Sequence, residues 1–93
     1  MKVSGKQVAA ARELLGFSQT DLANAAGVGR QTVTRFEAGQ ADPQRASREK
    51  ILTELERRGI EFINGTGPGV RLNLEKAAAF TRSAAQGRNQ LDR

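Results

Sequence analysis

The chain has 93 residues, with 15 Lys and Arg against 10 Asp and Glu, a net charge of +5 and a sequence pI of about 10.8. That length holds one domain with a modest core, and the basic balance suits a polyanionic partner. There is no cysteine and no histidine, which excludes disulfides, thiolate chemistry and an imidazole general base and leaves only carboxylates for a metal site.

In chain order, the N-terminal segment MKVSGKQVAA lacks the apolar stretch of a signal peptide. No apolar run approaches membrane-spanning length, so a cytoplasmic protein is expected. A first helix is predicted over Gly5 to Leu15, with Ser4 as its cap and Val8, Ala11, Leu14 and Leu15 as its inner stripe. Gly16 stops it, and Phe17 is expected to plug the gap before the next helix. Ser18 and Asp21 form a capping box ahead of an apolar run. Leu22, Ala25 and Ala26 then share one face. Gly27 ends this second helix, where a left-handed residue suits glycine. Val28 is placed to bury in the corner, and Gly29 is the predicted N-cap of the third helix, without a capping oxygen.

On the third helix, Arg30 to Ala38, a step of about 100° per residue divides two faces. Val33, Phe36 and, unexpectedly, Glu37 lie on one. Arg30, Gln31, Thr34 and Arg35 span an arc of about 140° roughly opposite. The pattern is that of a helix-turn-helix, whose second helix enters the major groove of DNA. Arginine pairs in bidentate fashion with guanine, glutamine with adenine, and threonine can touch the thymine methyl. Gly39 stops this helix. Asp42 and Pro43 mark a turn, with Asp42 as candidate cap and Pro43 at the first helical position. A fourth helix follows to about Arg58, with Ile51, Leu52 and Leu55 inward and Gly59 as its stop.

Residues from about 7 to 58 resemble the Cro/C1-type helix-turn-helix family, also called the XRE family. The matching pieces are RELLGFSQTDLA, AAGV, RQTVTRFEAG and REKILTELER. Gly29 departs from the family's usual Ser or Thr. The resemblance implies a four-helix, lambda-repressor-like domain over residues 1–59. It implies DNA contacts by Gln19, Arg30, Gln31, Thr32, Thr34 and Arg35, with Gln19 meeting a phosphate and bracing the reading helix. It also implies a buried ion pair, Arg12 with Glu37, tying the first helix to the third.

The positive charge lies outside the motif. Residues 18–42 carry Arg30 and Arg35 against Asp21, Glu37 and Asp42. The excess sits in the flanks, at Lys2, Lys6 and Arg12 before and Arg45, Arg48 and Lys50 after, where phosphates would pass a docked helix.

After Gly59 the period changes. IEFI and GVRL flank the glycine-rich NGTGP, which reads as a β-hairpin over residues 60–72. A phosphate-cradling loop is the rival reading of those glycines, but the Lys-Ser/Thr ending and following helix of a P-loop are missing. An isolated hairpin is barely stable in water and exposes unpaired edges. Phe62, Val70 and Leu72 are therefore expected to pair with a second copy of the chain, forming a homodimer. In residues 73–93, Leu74, Ala77, Ala78, Thr81 and Ala85 could line one face of a helix ending near Gly87, with Phe80 beside it; a frayed tail is the plainer reading.

The fold class expected is mainly α, a four-helix domain with a hairpin and a C-terminal helix. The function expected is a sequence-specific double-stranded-DNA-binding regulator, a dimeric repressor on a palindromic operator. Two alternatives stay open: an antitoxin that autoregulates its operon and binds a protein toxin, and an interaction adaptor that does not touch DNA. Neither an enzyme nor a cofactor is expected, because no nucleophile–base pair or metal cluster is discernible.

Overall fold

A computed structural model describes residues 2–40 and 43–91, excluding the side chains of residues 85–91. Four helices come first: α1 (Gly5–Leu14), α2 (Gln19–Ala26), α3 (Arg30–Glu37) and α4 (Arg45–Arg57). Strands β1 (Ile60–Ile63) and β2 (Gly69–Leu72) form an antiparallel hairpin, and α5 (Leu74–Leu91) closes the described chain.

The first two helix starts are set by reciprocal capping boxes. Ser4 and Ser18 each accept from the third backbone N–H of their helix, and Gln7 and Asp21 answer with side-chain bonds to the cap's own N–H. Each box satisfies two donors that a helix start leaves unpaired. At α4 the structure corrects the expected start. Asp42 lies outside the described residues, and Pro43 precedes the helix rather than opening it. Gln44 is the cap and makes no side-chain capping bond.

One core joins all four helices and the hairpin. Val8, Ala11, Leu22, Ala23, Val33, Phe36, Ile51, Leu55 and Ile60 are buried together. Each large aliphatic among them contributes about 1.5–3 kcal/mol by leaving water. One inward expectation needs correction. Leu14 is 48% exposed, because α1 ends there and Leu15, its C-cap, turns to the core instead. On α2, Ala23 is buried while Ala25 and Ala26 are half-buried. That helix packs against both α3 and α4, so its covered arc is wider than one stripe. Phe17 is half-buried against the core and carries the Arg58 guanidinium 4.9 Å from its ring centre.

The hairpin pairs Ile60 with Leu72 and Phe62 with Val70. Phe62, Val70 and Leu72 do find a local core: all three are half-buried against the helices of their own chain. The tie is Gln7, 6% exposed. Its Nε2 donates to the carbonyls of Ile63 and Gly69, both at 3.0 Å, while its Oε1 accepts from the Ser4 N–H at 2.9 Å.

Helix α5 does not stop near Gly87 but continues to Leu91. Its start is capped by Asn73, whose Oδ1 accepts from the Lys76 N–H. Leu74, Ala78 and Thr81 are exposed, whereas Ala77 and Phe80 are half-buried; the Ala85 side chain lies outside the described residues. Phe80 meets α4 through Arg57 and Arg58, whose guanidinium carbons lie 5.4 and 4.8 Å from its ring centre. One aromatic between two cations replaces the apolar stripe expected from the sequence.

Glu61 joins hairpin and helix. Lys76 lies 2.7 Å from its carboxylate, and Arg71 and Asn73 also donate to it. Bonds from Lys76 first and Arg71 second hold this carboxyl at about 2, against an ordinary 4.5. A lowered folded-state value contributes stability above the unfolded value, and the contribution is lost as pH falls through the folded one. The junction is therefore expected to loosen between pH 4.5 and about 2. Amide exchange across residues 60–80 should show extra opening in that window, and Glu61→Gln should remove that acid dependence. An unchanged acid response in the variant would count against this role.

Candidate nucleic-acid interface

Helices α2 and α3 meet through a three-residue turn, Gly27 to Gly29. Gly27 is left-handed, at φ 73° and ψ 37°, a region costly for residues with a Cβ. Its N–H and that of Val28 both reach the Ala23 carbonyl, which closes the end of α2. Val28 is half-buried against the core. Gly29 caps α3 without a side-chain bond. Val33 and Phe36 anchor α3 inward, which fixes the face it turns outward.

That outward face carries Arg30, Gln31, Thr34 and Arg35, all exposed. They line one concavity of about 280 Å³, together with Gln40. Gln40 was missed in the sequence because it follows the helix stop at Gly39. Its N–H donates to the Arg35 carbonyl, which folds it back beside that outward face. Thr32 is half-buried and is not among the lining residues.

The face is braced from behind. Arg12 Nε and Nη2 meet the two carboxylate oxygens of Glu37 at 2.8 and 3.1 Å. The two side chains are 14% and 6% exposed, so the charge that looked out of place on an inward face is paired. Arg12 also donates to the Phe17 carbonyl at 2.8 Å. Gln19, half-buried at the start of α2, donates from Nε2 to Glu37 at 3.1 Å and accepts the Thr34 hydroxyl at 2.9 Å. Arg12, Glu37, Gln19 and Thr34 thus form one chain of contacts from α1 to the surface of α3.

The basic flanks are rearranged relative to the sequence expectation. Arg12 is turned into the Glu37 pair. Arg48 is half-buried, donating from Nη2 to the Val3 carbonyl at 2.8 Å with its guanidinium 5.2 Å from the Phe36 ring centre. Arg45 pairs with Glu49 on the surface. Lys2, Lys6 and Lys50 remain exposed. Burial turned these two arginines into structural groups, which a charge count along the chain does not reveal.

The sequence model of a family described as Helix-turn-helix matches residues 8–57, more than half of the chain. The chain belongs to the Cro/C1-type, or XRE, helix-turn-helix family. No curated relative matches it. Members of this family are DNA-binding transcription regulators, and that is the class of this chain. The family match begins within α1 and ends with α4, and β1, β2 and α5 lie outside the matched residues. Among the described residues no helix is long and apolar enough to cross a membrane, and no group of three or more acidic residues is placed to hold a metal ion.

Proposed function

We propose that this regulator is a sequence-specific repressor that reads a palindromic duplex as a homodimer, with α3 in the major groove of each half-site. One observation carries the reading: Arg30, Gln31, Thr34 and Arg35 converge on a single concavity of an outward helix face. Two guanidiniums and an amide supply donors in the forked geometry that guanine and adenine edges accept. Gln19 and Thr32 flank that face at the helix starts, where backbone phosphates pass.

Dimerisation is assigned to the hairpin. Phe62, Val70 and Leu72 keep part of their surface exposed, Ile63 is 41% exposed beside them, and the two-stranded sheet has two unpaired edges. A two-fold pair of hairpins would cover those edges and hold two reading helices about 34–36 Å apart, one turn of the duplex.

Selection on random duplex DNA followed by sedimentation tests both parts. A two-fold-symmetric preferred site and a dimer on it are expected. Arg35→Ala should weaken binding to that site by about 1–3 kcal/mol and relax preference at one base pair. Ile63→Asp should weaken the dimer, because it places a charge at the rim without opening the core. Equal losses on all sequences for Arg35→Ala would make it a phosphate contact. A chain monomeric both free and on a palindromic duplex would remove the dimer from the proposal.

A further inference from the structure

The Thr34 hydroxyl lies 2.9 Å from Gln19 Oε1 and 3.1 Å from the Arg30 carbonyl oxygen. Both neighbours are acceptors, so the single hydroxyl proton is directed inward. The amide of Gln19 cannot turn over to release it. Its Nε2 donates to Glu37, which Arg12 holds in a largely buried bidentate pair. A turned amide would set its oxygen against that carboxylate. The ion pair therefore fixes the amide, and the amide fixes the hydroxyl as an internal donor.

With its proton held inside, Thr34 has none to give to guanine O6, thymine O4 or a purine N7. Its oxygen can still accept from an adenine or cytosine amino group, but the major-groove edge of thymine presents no donor, so toward thymine what Thr34, lining the concavity with Arg30, Gln31 and Arg35, can offer is its methyl group. The apolar group on a major-groove edge is the 5-methyl of thymine; 5-methylcytosine carries the same group. We propose that Thr34 is a specificity-determining residue that recognises a 5-methylpyrimidine through its own methyl, with its hydroxyl proton held inward toward Gln19 and the Arg30 carbonyl. This rests on the reading of α3 as the DNA-binding helix.

The test uses the preferred duplex selected above, with each thymine replaced singly by deoxyuridine, which removes the methyl and leaves every hydrogen-bonding group. At one thymine of the site, or its symmetry mate, the replacement should weaken wild-type binding about fourfold, the worth of one buried methyl. Thr34→Ser keeps the hydroxyl and should abolish the difference between thymine and deoxyuridine there. Thr34→Val keeps a methyl and should retain it, while binding less tightly to all sequences because Gln19 has lost its donor. At the same position 5-methylcytosine should outbind cytosine; whether it or thymine binds more tightly identifies the source of the methyl. A difference that persists in Thr34→Ser, or is lost in Thr34→Val alone, would make the hydroxyl the reading group and overturn the proposal. Equal binding of cytosine and 5-methylcytosine would do the same. Sequence-specific binding with no methyl-sensitive position would overturn this proposal alone, whereas no sequence preference at all would overturn the α3 reading with it.

Discussion

Replacing Arg12 or Glu37 alone by Ala is expected to destabilise the protein by about 3–5 kcal/mol, the cost of leaving one buried charge without its partner. The pair is bidentate and largely covered, with side chains 14% and 6% exposed. Arg12→Ala would leave the Glu37 carboxylate with the Gln19 amide as its remaining hydrogen-bond donor, and would also strand the Phe17 carbonyl. An apolar double replacement, Arg12→Met with Glu37→Leu, should recover most of the loss. It should not recover all of it, because the Phe17 carbonyl stays unpaired, at about 1–3 kcal/mol. Urea unfolding of the four proteins measures these differences. A double replacement no better than the single ones would mean that the site needs the charges rather than tolerating them. The same double variant should bind DNA less well than its stability allows, since Gln19 and through it Thr34 lose their fixed orientation.

Gln7→Leu is expected to be the second most damaging change. It removes the donor shared by the Ile63 and Gly69 carbonyls and the acceptor of the Ser4 N–H. Each group left covered without a partner costs about 1–3 kcal/mol. Loss at Ser4 also undoes half of the α1 capping box. Because leucine fills a similar volume, the effect isolates the hydrogen bonds from the packing. Gln7→Glu should be no better, since a carboxylate would be pressed against two carbonyl oxygens. Hydrogen exchange should locate the damage, with protection falling first across residues 60–72 and later in α1 to α4. A Gln7→Leu protein within about 0.5 kcal/mol of the parent would show that apolar packing alone seats the hairpin.

The elements legible in the sequence were those specified by neighbours a few residues apart. Ser4 and Ser18 announce their helices because a capping oxygen acts on the third residue ahead. Gly27 announces the turn because its left-handed backbone is a local requirement. Val33 and Phe36 against Arg30, Gln31, Thr34 and Arg35 reveal two faces because helical periodicity is itself local. The hairpin showed itself by a change of period and a glycine-rich loop.

The sequence misled where a side chain's role depends on a distant segment. Gln7 looked like one more polar residue on α1, and nothing nearby says that its amide meets carbonyls some sixty residues away. Glu54 is 6% exposed and satisfied by Arg57 and Arg58, so an acidic residue joins the buried side of α4. Arg48 reads as a phosphate contact until it is seen stacked on Phe36 and tied to Val3. Gly5 carries no turn signal at all; a Cβ there would lie 1.9 Å from the Phe36 carbonyl oxygen, so the N-terminus of α1 meets the end of α3 backbone to backbone.

By itself, then, the sequence determined the first four helices, the caps of α1 to α3, the turn and the family, together with the four residues that share the outward face of α3. Those properties rest on interactions within one or two helical turns, which residue spacing encodes directly. Only the tertiary structure decided that Arg48 and Glu54 are covered, how the hairpin is seated and which end of Thr34 is tied down. Each of those is a contact between segments brought together by burial of the common core, where a polar group must find a partner wherever the fold supplies one.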